Sequence, residues 1–256
     1  MEDTLNYIRE LKRIRSDILK NNGDPSWIRI TTITITSKIL DFVFDTQKFK
    51  ENFRKIGKVL IRHEGTNFSG FEWSMSETSF YNQVTVSYRD KYSNKSVKIF
   101  PNGSVQAAGC SNLMDCHRVI AMLAEVIRVV FNLESKPTLA PPTVQMINTN
   151  FSLNSSVHLV KIIRKFSTNS NFFVTFDPEK YSAVKIKFQP GKDMKKVTCS
   201  IFSTGKVIVT GARTLKEIVA AYDIINKYIT DQEMVQKTDK RESFDTFMGI
   251  KFDDWV

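Results

Sequence analysis

Thr198-Cys-Ser-Ile-Phe-Ser-Thr-Gly-Lys-Val-Ile-Val-Thr-Gly211 is the stretch on which the reading of this chain turns. A second stretch, Val97-Lys-Ile-Phe-Pro-Asn-Gly-Ser-Val-Gln-Ala-Ala-Gly109, matches it at an offset of 102 residues. Aligned on Ile-Phe, the two share Ile99/Ile201, Phe100/Phe202, Gly103/Gly205, Val105/Val207 and Gly109/Gly211. A helix-patterned segment follows each copy. A period this long is not a solenoid repeat. It marks two copies of a domain-sized unit.

Working outward, both halves show the same order. Residues 27–37 are rich in Ile and Thr with period-2 alternation and predict a strand. Asp45 and Thr46 are N-cap candidates for a short helix that puts Phe49, Phe53 and Ile56 on one face. Residues 84–88 and 96–100 predict strands, Pro101-Asn-Gly103 a tight turn, and 105–109 the return strand. Residues 112–131 carry the apolar stripe of a long helix. The second half predicts a strand at 144–153, a helix capped by Ser155 or Ser156, strands at 183–188, 197–202 and 206–210, and a helix opened by the capping box Thr214-Leu-Lys-Glu217. Residues 61–80 predict a long loop or an additional hairpin. The expected organisation is an N-terminal charged helical extension (1–25), a first repeat (26–135), a Pro-rich linker (136–143), a second repeat (144–230) and a polar, acidic tail (231–256).

Composition narrows the classes. In 256 residues, 37 Lys and Arg oppose 27 Asp and Glu, a net charge of +10. The surplus predicts a polyanionic partner, nucleic acid first. Residues 1–150 hold +5, residues 151–230 hold +8 and residues 231–256 hold −3, so the excess is concentrated in the second repeat. The longest apolar runs are too short to span a bilayer, and the N-terminus has no signal-peptide pattern. Three cysteines without a CxxC argue against a disulfide framework or structural zinc and suit a reducing intracellular compartment. His63, His117 and His158 are scattered, and no HExxH, GxSxG, P-loop or paired-carboxylate motif occurs, so no enzyme, cofactor or metal is expected.

Ile-Phe-x-x-Gly-Lys-x-x-x-Thr-Gly-Ala-Arg at 201–213, followed by a helix, resembles the signature of TATA-box-binding proteins. Phe176-Asp-Pro-Glu-Lys-Tyr-Ser-Ala-Val184 is similar to the loop that carries an acidic stirrup and an aromatic wedge in that family. The likeness covers residues 27–230, is sharpest in the second repeat, and its divergence resembles the forms found in large DNA viruses. It implies an α+β fold in which two tandem repeats form a saddle-shaped curved antiparallel sheet with helices on the convex face. It also implies a transcription initiation factor that binds and bends AT-rich double-stranded DNA through the minor groove, with Tyr81, Phe100, Tyr181 and Phe202 as wedges. Alternation along the return strands then turns Gln106 and Ala108, and Ile208 and Thr210, toward DNA. Lys187, Lys206 and Arg213 fall on the family's phosphate-binding cations, where the first repeat has Ser87, Ser104 and Ser111. The family's central asparagines are missing from their places; Met146 takes one, and Asn148 lies two residues on. Glu179 matches the stirrup acid that meets a transcription factor IIB-like protein, and RNA polymerase machinery is the further implied partner of a protein monomeric on DNA. The implied location is a host cytoplasmic virus factory or virion for a viral chain, and the nucleus for a cellular one.

Two other functions fit the same residues. The lost asparagines and the serines of the first repeat suit a degenerate fold that serves as a protein-interaction scaffold of the transcription machinery, with weak or no specific DNA binding. Exposed aromatics beside cations also suit single-stranded nucleic acid.

Overall fold

The structure, a computed structural model, describes residues 2–21, 23–61, 71–76, 82–89, 94–229, 234–237, 246–247 and 250–251. The chain runs α1 (Glu2–Lys20), β1 (Arg29–Lys38), α2 (Thr46–Ile56), β2 (Lys58–Ile61), β3 (Phe71–Met75), β4 (Val84–Arg89), β5 (Asn94–Ile99), β6 (Ser104–Cys110) and α3 (Leu113–Phe131). It continues β7 (Thr143–Ser152), β8 (Ser155–Val157), α4 (Leu159–Ser167), β9 (Phe173–Asp177), β10 (Tyr181–Phe188), β11 (Val197–Phe202), β12 (Lys206–Ala212) and α5 (Leu215–Ile229), then β13 (Val235–Lys237), β14 (Thr246–Phe247) and β15 (Ile250–Lys251). It forms two compact units: a continuous one, Thr32–Gln145, and a discontinuous one, Met1–Thr31 with Met146–Val256.

In the continuous unit the strands stand in the order β2-β3-β4-β5-β6-β1, and each neighbouring pair is antiparallel. The antiparallel pair β2 and β3 thus gives the additional hairpin strands. Asp45 caps α2 by accepting from the amides of Gln47 and Lys48, and Asn112 caps α3. Helices α2 and α3 lie on one face of the sheet. Alternation decides which side chains they cover: Val84, Val86, Tyr88, Val97, Ile99, Val105 and Ala107 are fully buried against the α3 stripe.

The discontinuous unit has strands in the order β7-β12-β11-β10-β9, again antiparallel. Helices α4 and α5 cover one face, burying Val184, Ile186, Cys199, Ile201, Val207 and Val209. The capping box at α5 is reciprocal: Thr214 N–H donates to Glu217 Oε2 at 3.2 Å, and Glu217 N–H donates to Thr214 Oγ1 at 3.3 Å. Helix α1 packs on α5 through Ile8, Leu11, Ile14 and Ile18. The segment after α1 is tied to the same unit, because Ser26 N–H donates to Ser152 O at 2.8 Å and Tyr222 Oη to Ser26 O at 3.0 Å.

Two expectations are corrected here. The saddle-shaped curved sheet does not describe this structure: the antiparallel strand order is open and runs out at the edges β2 and β9 instead of closing. The first 31 residues pack with the second repeat through α1 and Ser26. What stands is an α+β sheet-and-helix architecture. Ser155 and Ser156 do not cap a helix either. They lie in β8, paired with β13, and α4 has His158 as its N-cap, without a side-chain cap bond.

Candidate nucleic-acid interface

The residues expected to touch DNA in the second repeat gather on one surface, the sheet face of the discontinuous unit that α4 and α5 leave uncovered. The cause is the period of two. On β10, Val184, Ile186 and Phe188 are buried under the helices, while Lys185 and Lys187 are exposed on the other side. On β12, Val207 and Val209 are buried, Lys206 is exposed, and Ile208 and Thr210 are half-buried.

Register sets the neighbours. Lys187 stands opposite Thr198, which stands opposite Thr210. Lys185 stands opposite Ser200, then Ile208, then Asn150. Lys206 stands opposite Ser152. Asn148, half-buried on β7, shares the face with Asn150 by alternation. The strands β7, β10, β11 and β12 contain no Asp or Glu, so nothing acidic in them offsets the three lysines.

Tyr181 and Phe202 form one aromatic pair at the end of this face, ring centroids 5.5 Å apart at 68°. Lys185 Nζ lies 4.5 Å from the Tyr181 ring centroid. Arg213 is exposed just beyond β12, and its N–H donates to Glu217 Oε2 at 2.6 Å. Burial pushes the Glu217 carboxyl up, and hydrogen bonds from the amides of Lys195, Arg213 and Thr214 outweigh that and hold it below its usual range. Glu179 is exposed in the β9–β10 turn.

The matching face of the continuous unit is built differently. Ser87 is exposed on β4, and Ser104, Gln106 and Ala108 are half-buried on β6. Thr36 stands opposite Gln106, and Thr34 opposite Ala108. Lys98 sits between Thr85 and Gln106, and Arg89 lies opposite Glu72. The Ser111 hydroxyl is committed: it donates to Asp115 Oδ2 at 3.1 Å, beside its own amide at 2.9 Å. Phe100 is half-buried at the turn, its N–H donating to Ser104 O at 2.9 Å. Tyr81 lies outside the described residues.

Sequence reading passed over Lys185, Asn150 and Phe173. Extending the alternation from Lys187 would have found the first, and extending it from Asn148 the second. Asn150 Oδ1 is buried and accepts no hydrogen bond. Phe173 stands opposite Lys187 and is 67% exposed. Its strand, β9, was hidden by reading residues 176–184 as a loop. Among the described residues no group of three or more His, Cys, Asp and Glu side chains could hold a metal ion, and no helix is long and apolar enough to cross a membrane.

Two copies of one strand-and-helix order, each with one face left bare, define a two-repeat α+β protein. Residues 141–231 match the family model of transcription factor TFIID, or TATA-binding protein. A TATA-box-binding protein-like protein of Acanthamoeba polyphaga mimivirus is 29% identical over 244 residues, which cover 79% of this chain and 65% of that protein. TATA-box-binding protein 2 of Methanosarcina mazei is 24% identical over 139 residues, covering 54% of this chain and 70% of that one. The chain therefore spans less than two thirds of the length of the mimivirus relative. Among solved structures, Methanococcus jannaschii TBP superposes with a TM-score of 0.51 at 18% identity, over 78% of this chain and 96% of that one, a likeness of fold. The chain is thus similar to TATA-binding proteins, by the family model over residues 141–231 and by the mimivirus relative over 79% of its length.

Proposed function

We propose that the chain is an interaction scaffold of a transcription machinery, built on the TATA-binding-protein fold, that holds duplex DNA weakly and with little sequence preference. One observation carries this reading, the inequality of the two bare sheet faces. The discontinuous unit offers Lys185, Lys187 and Lys206, with Arg213 beyond the strand end, and no acid in β7, β10, β11 or β12. The continuous unit offers Ser87, Ser104, Gln106 and Ala108, with Lys38 opposite Ser104 and Lys98 opposite Gln106, and its Ser111 hydroxyl is held by Asp115. A phosphate contact from lysine releases counterions, and one from serine does not. Affinity then comes more from the discontinuous unit than from the other, and from charge more than base contact. The exposed Glu179 is the contact offered to a transcription factor IIB-like protein, with RNA polymerase machinery beyond it.

A second reading, duplex bending, is favoured by the Tyr181–Phe202 pair. Two rings at the end of a bare sheet face form an apolar wedge of the type that unstacks base steps.

Competition between AT-rich duplex, GC-rich duplex and single strands, followed by fluorescence anisotropy, separates the readings. The scaffold reading expects the two duplexes to bind within a few-fold of each other, with no change in end-to-end distance by energy transfer. A strong AT-rich preference with a bend that Phe100→Ala and Phe202→Ala abolish overturns it in favour of bending. Tighter binding to single strands overturns both.

A further inference from the structure

Phe173 presents 67% of its surface and stands opposite Lys187 of β10. It lines an open cleft of about 850 Å³ in the discontinuous unit, beside the β9 edge. That volume lies within the roughly 300–1,000 Å³ of small-molecule sites. Lys187, Lys192 and Lys196 line the same cleft, and all three are exposed. No acidic side chain lines it, and Asp193, although next to Lys192 in sequence, stays outside the lining.

The cleft is held in shape on two sides. On the aromatic side, Phe172 meets Tyr228 at 4.9 Å and Phe188 at 5.2 Å, both edge-on, and Asn169 Nδ2 donates to Tyr228 Oη at 3.0 Å. On the other side, the loop that carries Lys192 and Lys196 is tied down. Gln189 Nε2 donates to Lys192 O at 2.7 Å, Met194 N–H to Gly191 O at 3.1 Å and Lys195 N–H to Glu217 Oε1 at 2.8 Å. The two lysines are therefore presented from a fixed backbone. Asn171 and Gln189 add exposed carboxamides to the lining. An exposed ring takes the flat face of a base, carboxamides meet the donors and acceptors of its edge, and clustered cations meet phosphates. An acidic side chain answers the lysines but offers neither a ring for Phe173 nor a donor for the carboxamides.

We propose that this cleft binds a nucleotide bearing a 5′ polyphosphate, with the base on Phe173, its edge at Asn171 and Gln189, and the phosphates on Lys187, Lys192 and Lys196. A free nucleoside triphosphate and the 5′ end of a triphosphorylated RNA carry the same chemistry. The site goes beyond the scaffold reading and does not depend on DNA at the sheet face.

The test uses the full chain, with ATP followed by calorimetry and a short 3′-labelled RNA bearing a 5′ triphosphate followed by anisotropy. Phe173→Ala is expected to weaken ATP roughly tenfold, and so is the pair Lys192→Glu with Lys196→Glu. Lys192→Arg with Lys196→Arg keeps the binding, and inorganic triphosphate, which has no base, binds roughly tenfold more weakly than ATP. These side chains are exposed, so the variants should melt at the temperature of the unaltered chain. ATP binding at least as tightly as the RNA assigns the free nucleotide. RNA binding more tightly, and losing that advantage with a 5′ hydroxyl, assigns the strand end. The absence of saturable binding by either probe overturns the proposal. Indifference to Phe173→Ala or to the charge reversal also overturns it, as does inorganic triphosphate binding as tightly as ATP, or RNA that binds while ignoring its 5′ phosphates. A peptide of alternating Asp and Phe that binds more tightly than both probes overturns it in favour of a protein partner. Failure of the duplex competition leaves each of these outcomes unchanged.

Discussion

Lys95 Nζ lies 3.1 Å from Asp115 Oδ1 on the helix-covered side of the continuous unit, with both side chains almost wholly withdrawn from solvent. The repeat offset makes this an asymmetry. The places 102 residues on are Val197 and Glu217, so a buried ion pair replaces an apolar side chain and a carboxylate bound by backbone amides. Lys95 also lies 4.7 Å from the Tyr88 ring centroid.

Removing one partner of a buried pair leaves the other charge uncompensated. Lys95→Met should therefore cost about 3–5 kcal/mol. Urea unfolding is the measurement, and a loss comparable to that of an exposed lysine such as Lys55 would show the pair to be solvated.

Glu217 sets a pH dependence. Its folded carboxyl titrates below the ordinary value of 4.5 because the amides of Lys195, Arg213 and Thr214 outweigh its burial. A depressed folded value contributes stability above the unfolded one and loses it as pH falls through the folded one. The melting temperature of the unaltered chain should thus fall faster than that of Glu217→Gln between roughly pH 5 and pH 3. Parallel curves would place the acid sensitivity elsewhere.

The two turn glycines should respond unequally to alanine. Gly103 and Gly205 have φ of 77° and 80°, so both substitutions carry backbone strain. At Gly103 a Cβ would come 3.3 Å from Ile39 O, whereas at Gly205 it would collide with Ser155 O in β8. Gly205→Ala is expected to destabilise by at least ~1–2 kcal/mol more than Gly103→Ala, since a backbone shift is added to the strain. Thermal denaturation of the two variants compares them directly.

Salt titration reads the basic face one residue at a time. Lys185→Ala, Lys187→Ala and Lys206→Ala should each lower the slope of log K against log salt by roughly 0.9 on duplex DNA. Ser87→Ala and Ser104→Ala should leave it unchanged. Equal slopes for all five variants would remove the lysines from the DNA contact.

Much of this was legible in the residues. The repeat gave the order of strands and helices, Asp45 and Thr214 marked helix starts, and alternation from Phe202 placed Ile208 and Thr210 opposite Val207 and Val209. What escaped depends on contacts distant in sequence. Ser155 and Ser156 have the chemistry of a cap, but pairing with Val235 and its neighbours draws them into a strand. Strand β9 contains Asp177 and precedes Pro178, a turn signal that outweighed its Phe-Val-Thr-Phe core. The place of α1 was invisible because an amphipathic stripe states that a helix needs a cover without naming which one.

That cover has a consequence during synthesis. The stripe of Ile8, Leu11, Ile14 and Ile18 leaves the ribosome well ahead of its partner α5, which is completed only at Ile229. At about 5–20 residues per second the stripe waits roughly 10–40 s without its cover. The continuous unit lies wholly between the two halves of the other in sequence and is free to fold during that delay. This apolar surface is therefore made long before it can be buried, and in the cell its protection falls first to a chaperone.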